Sequence, residues 1–323
     1  MSARSHFRKF VGMSLAAMVV QACSTLPADQ VATAPSGVVE LREADLFANY
    51  YPAVSGKPGP AVLMMGGSEG GLNPAVSDEA MLLQELGFNV LQLSFYRADG
   101  QPDNLEMIPL ETFERGLDYL SSREGVDPSR VAIFGTSKGA EAALITATRH
   151  PDDIAAIVAI VPSNVSWQGI NWAFDGRPAE ASWSLDGEAY PFLPYGAWDP
   201  ASGLYSLYDN GLKALGEHSA TEIAIEKTRA PVLLICGKDD ALWPSCPMSD
   251  AIAARAGRLN GPEVTTLSYD GAGHGAGGAP NPDFDPATAD EALEFGGTRG
   301  SNHAARMDSW PKVLAFLEDA LKD

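Results

Sequence analysis

The sequence predicts an α/β domain in which a mostly parallel sheet carries helices on both faces. Short apolar runs typical of buried strands alternate along the chain with helical patterns, and this alternation is characteristic of a parallel sheet. Hydrophobic residues make up 45% of the 323 residues, which is enough for a large core. The apolar run at 131–134 also leads through a tight turn into an alanine-rich helical pattern. We expect one domain over residues 38–323.

The predicted elements follow one another in a regular order. Residues 38–52 predict an antiparallel hairpin at one edge of the sheet. Six buried strands are predicted after it, at 60–65, 88–93, 130–135, 154–161, 231–236 and 263–268. Helical patterns alternate with these strands at 76–86, 110–122, 137–149, 247–258 and 306–321. The segment 163–230 is the exception, because it has no such rhythm.

The turn between the strand and the alanine-rich helix has the pattern Gly-x-Ser-x-Gly at 135–139. In this context the pattern predicts a nucleophile elbow, in which a strained turn lifts the Ser137 hydroxyl off the end of a parallel strand. Gly135 and Gly139 leave room where side chains would collide with neighbouring elements. The hydroxyl then lies at a helix N-terminus, where the dipole favours developing negative charge. We therefore predict that Ser137 is a nucleophile.

A serine nucleophile needs a general base, and His274 is the best candidate. It lies in a glycine-rich loop after the strand predicted at 263–268, which is the position expected for the base. The other histidines lie in the leader, at a helix end, in a polar segment without a preceding strand, and just before the last helix: His6, His150, His218 and His303.

The orienting acid is expected at the end of the strand predicted at 231–236. Asp239 and Asp240 are adjacent there, and only one of them can face the histidine. We prefer Asp240, because it lies deeper in the loop, three residues after Gly237. Asp239 remains the alternative, and its other expected role is that of a solvated or loop-capping carboxylate.

Two backbone N–H groups are expected to stabilise a substrate oxyanion. One belongs to Lys138, the residue after the nucleophile. The other comes from the glycine-rich loop at 66–71, in which Ser68 is the preferred donor and Glu69 the alternative. A phosphate-binding loop is disfavoured, because no Lys-Ser or Lys-Thr pair follows these glycines.

These motifs resemble the catalytic domain of the acyl-CoA thioesterase and bile-acid-CoA:amino-acid N-acyltransferase family, within the α/β-hydrolases and near the dienelactone hydrolases. The resemblance covers about residues 38–321. The runs that carry it are MGGSEGG at 65–71, GFNV at 87–90, FY at 95–96, GTSKGAE at 135–141, GKDDALWPS at 237–245 and GAGH at 271–274.

The resemblance implies an α/β-hydrolase fold, a triad of Ser137, Asp240 and His274, and hydrolysis of an acyl thioester. A serine nucleophile favours hydrolysis, since cysteine goes with amino-acid conjugation in this family. Larger members carry an immunoglobulin-like domain before the catalytic one. The segment before the glycine-rich loop is too short for such a domain here, which weakens any transfer of substrate specificity.

The N-terminus has the features of a bacterial lipoprotein signal. Residues 1–22 combine a basic start with an apolar stretch at 10–20 that is too short for a stable membrane anchor. Cys23 follows a small residue and resembles a cleavage and lipidation site, and residues 23–37 are typical of a flexible tether. We predict a lipid anchor in the cell envelope, facing the periplasm and in the outer membrane. An ordinary signal peptide, a weak uncleaved anchor and a cytoplasmic location are the alternatives.

The strong negative charge restricts the partners. The formal net charge is −20, and cleavage after residue 22 would remove three positive charges and change it to −23. Such acidity disfavours nucleic acid and anionic lipid surfaces. It also disfavours a polyanionic substrate such as CoA, unless Lys138 or Arg97 supplies a local positive charge. CoA is moreover a cytoplasmic cofactor, so an exported enzyme would meet carboxylic esters more readily.

Cys236 and Cys246 are the cysteines that remain if Cys23 is lipidated. Such a pair in an oxidising compartment can form a disulfide, which would pin the loop that carries the acid. The alternative is that Cys236 is a small apolar residue at the end of a buried strand. The sequence contains no metal-ligand spacing and no dinucleotide fingerprint, so we expect no cofactor.

The segment 163–230 is rich in tryptophan and tyrosine, with glycine and proline interleaved. It lies just before the strand that leads to the acid, where α/β-hydrolases insert lids. Its aromatic residues either form a wall for the acyl group or pack as a hairpin onto the domain.

Together these features predict a serine hydrolase that cleaves a small-molecule acyl thioester or ester through an acyl-enzyme. An exported carboxylesterase is the alternative among enzymes. A catalytically silent lipoprotein that binds a ligand on the same scaffold is the alternative from another class. The acyl chain, the leaving group and the oligomeric state stay open.

Overall fold

The computed structural model describes residues 37–43, 45–54, 57–178 and 180–322. The predicted signal, Cys23 and all of the predicted tether except its last residue lie outside these residues. No helix in the described part of the chain is long and apolar enough to cross a membrane.

An eight-stranded sheet forms the centre of the fold. Strands in the described ranges are β1 (Val39–Glu43), β2 (Leu46–Tyr51), β3 (Gly59–Met65), β4 (Asn89–Ser94), β5 (Ile108–Pro109), β6 (Val126–Thr136), β7 (Ala156–Ile160), β8 (Trp183–Leu185), β9 (Glu188–Ala189), β10 (Val232–Gly237) and β11 (Val264–Tyr269). The order in the large sheet is β1-β2-β4-β3-β6-β7-β10-β11, and β5, β8 and β9 form a small second sheet. β1 and β2 form an antiparallel edge hairpin and β2 runs antiparallel to β4, whereas all other neighbours in the large sheet are parallel. The predicted sheet is therefore confirmed.

Helices cover both faces of this sheet. They are α1 (Pro74–Glu85), α2 (Glu111–Ser121), α3 (Lys138–Arg149), α4 (Leu204–Leu212), α5 (Ser245–Arg258) and α6 (Arg299–Ala320). Successive side chains of a strand point to opposite faces. Leu63 of β3 accordingly packs in one core with residues of α2, α3 and α5, and Met64 packs in a second core with residues of α1 and α6.

The last helix begins earlier than predicted. α6 starts at Arg299 rather than at residue 306, because Thr298 and Ser301 form a reciprocal capping box at its N-terminus. The first turns of this helix are polar, so apolar periodicity gave no signal for them. The helix α4 and the short strands of the second sheet were not predicted either.

The segment 163–230, called the insertion below, packs partly into the domain core. Trp183 is fully buried, and its ring lies 5.7 Å from that of Phe95 and 5.6 Å from that of Phe113. Trp167 is also fully buried but belongs to a separate cluster with Tyr208. Of the two interpretations of the aromatic residues in the insertion, packing onto the domain is therefore the one that applies to Trp183.

A disulfide joins Cys236 at the end of β10 to Cys246 in the first turn of α5. The Cα atoms of the two cysteines are 5.1 Å apart, within the range that a disulfide allows. The bridge encloses the loop that carries Asp239 and Asp240. Of the two alternatives left open by the sequence, a bridge or an unpaired Cys236, the structure contains the bridge.

Reduction of this disulfide is expected to lower the melting temperature. Closure of a loop with a sequence separation of 10 stabilises the folded state by about 2–3 kcal/mol in the chain-entropy description, which corresponds to roughly 3–5 °C for a domain of this size. Calorimetry with and without dithiothreitol measures the change. The variant Cys236→Ala/Cys246→Ala is the control, because its melting temperature should not respond to the reductant. Two free thiols in the denatured, unreduced protein lacking Cys23 would contradict the bridge.

Candidate active site

Ser137, His274 and Asp240 form a hydrogen-bonded row. Ser137 Oγ lies 3.0 Å from His274 Nε2, and His274 Nδ1 lies 2.9 Å from Asp240 Oδ2. Each residue directly follows a parallel strand, β6, β11 and β10 respectively, or lies in the loop after it. When Nδ1 donates to Asp240, Nε2 is free to accept the proton of the serine hydroxyl, which is the arrangement that activates a serine nucleophile.

The elbow holds Ser137 in a strained conformation. Its backbone has φ 55° and ψ −117°, a region that is costly for a residue with a side chain. The Ser137 N–H donates to the carbonyl of Ile160 (2.9 Å), and the Ser137 carbonyl accepts from the N–H of Glu141 (3.1 Å). Gly139 packs against the end of β3 so closely that a Cβ there would lie 2.9 Å from the Met65 carbonyl oxygen. The surrounding backbone therefore fixes the position of Ser137.

Four donors hold the carboxylate of Asp240. Oδ1 accepts from the N–H groups of Leu242 (3.0 Å) and Trp243 (3.2 Å), and Oδ2 accepts from Ser245 Oγ (2.6 Å) in addition to His274. Asp240 is 6% exposed, whereas Asp239 is exposed. The structure thus brings Asp240 to the histidine, as preferred. Sequence reasoning missed Ser245, although a serine at the start of the following helix was visible.

The other described histidines lie in different surroundings. His150, at the end of α3, has Nδ1 3.1 Å from Asp153 and Nε2 3.1 Å from Glu114. His303 lies inside α6 and stacks on a phenylalanine. His218 lies between two short 3-10 segments, 215–217 and 219–221, and His6 lies outside the described residues.

The glycine-rich loop lies against Ser137. A Cβ on Gly67 would be 3.1 Å from Ser137 Cβ. The Glu69 carboxylate folds back over the loop and accepts from the Gly67 N–H (2.9 Å) and from Asn73 Nδ2 (2.7 Å), while the Tyr96 hydroxyl donates to the Ser68 carbonyl. The Gly67 N–H is therefore engaged. Ser68, the preferred donor in this loop, and Glu69, its alternative, both belong to the braced loop. Sequence reasoning did not identify the side chains that brace it.

The side chain of Lys138 does not supply the free positive charge that was considered above. It is 1% exposed, and its Nζ lies 2.9 Å from Glu141 Oε2 and 2.8 Å from Ser182 Oγ. Burial lowers the pKa of Lys138 and raises the pKa of Glu141, and the attraction between the two opposes both shifts. Arg97, by contrast, is exposed, with its guanidinium 5.4 Å from the ring centre of Trp172.

A row of aromatic rings leads from His274 into the insertion. The imidazole is 5.7 Å from Trp243, Trp243 is 5.3 Å from Tyr208, and Tyr208 is 5.1 Å from Trp167, all in edge-to-face contact. Burial raises the pKa of Tyr208 to about 12. The insertion therefore reaches the candidate base through the loop that carries Asp240. In the described ranges no group of three metal-binding side chains occurs.

The strand order, the elbow after β6 and the chain order Ser, Asp, His define an α/β-hydrolase. Solved structures of the same class are similar in fold. A Pyrococcus horikoshii acylaminoacyl peptidase superposes with a TM-score of 0.56 at 14% identity, over 86% of this chain and 40% of that chain. A dienelactone hydrolase-like promiscuous phosphotriesterase from metagenomic libraries superposes with a TM-score of 0.52 at 17% identity, over 85% of this chain and 92% of that chain.

The chain belongs to the family described as BAAT / acyl-CoA thioester hydrolase C terminal, which it matches over residues 108–323. The resemblance given by the motifs is thereby confirmed. Mouse peroxisomal succinyl-coenzyme A thioesterase is 28% identical over 86% of this chain, and mouse bile acid-CoA:amino acid N-acyltransferase is 26% identical over 88% of it. The matches cover 64% and 65% of those two proteins.

Proposed function

We propose that the protein is a serine hydrolase that cleaves an acyl thioester or ester through an acyl-enzyme. The observation that carries this proposal is the row formed by Ser137, His274 and Asp240, with a hydrogen bond at each step. Family membership supports an acyl thioester as substrate, since a mouse relative is named a succinyl-coenzyme A thioesterase.

In the first half of the reaction His274 Nε2 takes the proton of Ser137 as Oγ attacks the acyl carbon. The N–H groups of Lys138 and Ser68 bind the oxyanion. The bond to the leaving group then breaks, and the departing thiolate or alkoxide receives the proton from His274. Asp240 holds Nδ1–H in position and stabilises the imidazolium.

In the second half a water molecule attacks the acyl-enzyme and gives a proton to His274. The bond between the acyl carbon and Ser137 Oγ breaks, His274 returns its proton to that oxygen, and the carboxylic acid leaves. The free enzyme is then restored, and neither half of the reaction requires a cofactor.

A fluorophosphonate probe and paired substrate panels test this proposal on the protein without its leader. Mass spectrometry should locate the label on Ser137, and CoA thioesters and matched oxygen esters should be turned over. Failure of both labelling and turnover would contradict the hydrolase and favour the silent binding lipoprotein. Turnover of oxygen esters alone would favour the carboxylesterase.

The carboxylesterase is a second candidate because of the disulfide between Cys236 and Cys246. Disulfides persist in oxidising compartments, and CoA is a cytoplasmic cofactor. The net charge of −20 also repels a polyanionic substrate.

We propose accordingly that the protein is exported and held in the cell envelope by lipid on Cys23.

The substitution Cys23→Ala is expected to release the protein from membranes, because the lipidated thiol is lost. Palmitate labelling combined with membrane fractionation measures the effect. The variant Ser137→Ala, which leaves the leader intact, should stay labelled and membrane-bound as the control. Wild-type protein in the cytoplasm, or labelling that persists in the Cys23 variant, would contradict the location. A cytoplasmic location would also make acyl-CoA the leading substrate again.

A further inference from the structure

A buried ion pair lies in the first turn of the nucleophile helix. Glu141 is fully buried, and its carboxylate accepts from Lys138 Nζ (2.9 Å), from the Trp167 N–H (2.9 Å) and from Trp183 Nε1 (2.7 Å). All of these partners are donors, so they favour the ionised carboxylate. Lys138 Nζ also donates to Ser182 Oγ. The insertion therefore supplies two hydrogen-bond partners of Glu141, which are Trp167 and Trp183. It also supplies Ser182, the partner of Lys138.

Stability alone is a poor explanation for this pair. Removing two charges from water costs several kcal/mol each, and well-packed apolar residues are often as stable in their place. The buried pair is better explained by a function that depends on where Lys138 and Glu141 are held. The nearest such function is that of the Lys138 N–H, the first oxyanion donor.

The geometry of the peptide bond links the ion pair to this donor. The Ser137 carbonyl and the Lys138 N–H belong to one planar trans peptide unit, so fixing one fixes the direction of the other. The Ser137 carbonyl is fixed by the N–H of Glu141 (3.1 Å). The side chain of Glu141 in turn holds Lys138 and is itself held by Trp167 and Trp183. Two hydrogen bonds therefore close the turn: the backbone bond from Glu141 N–H to the Ser137 carbonyl, and the side-chain bond from Lys138 Nζ to the Glu141 carboxylate.

We propose that Lys138 and Glu141 are positioning residues through which the insertion aligns the oxyanion donor. The insertion is then a fixed part of the catalytic machinery, and the hydrogen bonds from Trp167 and Trp183 transmit its position to the nucleophile helix. This inference rests on the proposed function.

The double variant Lys138→Met/Glu141→Gln tests the proposal. Removing one partner alone would leave a buried charge and would endanger folding, whereas the double variant keeps similar volumes, and the glutamine oxygen can still accept from both tryptophans. Trp183→Phe tests the link to the insertion, because it removes one donor to Glu141. Glu106→Gln is the matched control: Glu106 is buried, is paired with Arg177 of the insertion, and lies outside the turn.

We expect the double variant to lower kcat by about 10- to 100-fold with KM within about twofold, since a misaligned donor affects the transition state. Affinity for a trifluoromethyl ketone, which forms an oxyanion adduct with Ser137, should fall by a similar factor. The pH profile of kcat/KM should stay in place, because His274 and Asp240 are untouched. Trp183→Phe should lower kcat in the same direction by several-fold, and Glu106→Gln should leave kcat within about twofold.

Amide hydrogen exchange of the peptide spanning 135–143 supplies a readout independent of activity. Exchange in this turn should be faster in the double variant than in the wild type and unchanged in Glu106→Gln. Unchanged exchange, a kcat within twofold of wild type in the folded double variant, or an equal loss in Glu106→Gln would overturn the proposal. An inactive wild type with the expected exchange pattern would instead contradict the proposed function and leave the positioning of the turn supported.

Discussion

Replacement of Ser137 by alanine is expected to lower kcat by about 10⁵- to 10⁶-fold without a loss of thermal stability. The hydroxyl supplies the attacking oxygen, and the oxyanion hole alone leaves a small residual rate. Alanine keeps the Cβ and therefore the same backbone strain at φ 55°, so the folded state should be affected little. Steady-state kinetics and calorimetry on the same preparation measure both quantities.

The matched control for this variant is Ser68→Ala. Only the backbone N–H of Ser68 is assigned a role, and this substitution retains it. Activity should stay close to that of the wild type. The assignment is wrong if Ser137→Ala keeps most of the wild-type kcat, or if Ser68→Ala is the inactivating change.

Asp240→Asn is expected to lower kcat by about 10⁴-fold, whereas Asp239→Asn should change it by less than about twofold. An asparagine amide donates where the carboxylate accepted from His274 Nδ1. It therefore stabilises the tautomer whose Nε2 carries a proton and is unable to accept one from Ser137. Asp239 is exposed at the surface of the same loop, so its variant serves as the matched control.

Melting temperatures separate the catalytic effect of Asp240→Asn from a structural one, since the carboxylate also accepts from Leu242, Trp243 and Ser245. Both variants should be folded at the assay temperature. Equal activity of the two folded variants would refute the acid, and a reversed order would transfer the role to Asp239.

Features set by local sequence were predictable. The elbow at Ser137 combines an apolar strand, two glycines and a helix, and each part has a steric reason that the sequence shows. The position of His274 follows in the same way from a strand and a glycine loop. Asp240 was preferred over Asp239 on its depth in the loop. The three donors that hold it besides the histidine meet the carboxylate only in the folded loop between β10 and α5.

Features set by contacts between distant segments were not predictable. The sequence places Glu141 in a predicted helix and in the run GTSKGAE. Its carboxylate, however, accepts hydrogen bonds from Trp167 and Trp183, which lie 26 and 42 positions further along the chain. The contact of Trp243 with His274 likewise joins two loops. The early start of α6 depends on the cap at Thr298, in which a serine replaces the glutamate or glutamine that marks such a box in a sequence.

The positive φ of Ser137 lowers the stability of the folded protein at a position that the proposed catalysis requires. A side chain in such a backbone region costs about 1–3 kcal/mol, and glycine adopts it without that cost. Under the proposed mechanism, Ser137→Gly is therefore expected to give a more stable protein that is inactive. A directed-evolution screen that scores survival at high temperature alone would favour glycine there, so selection for thermostable variants has to score the proposed turnover in the same round.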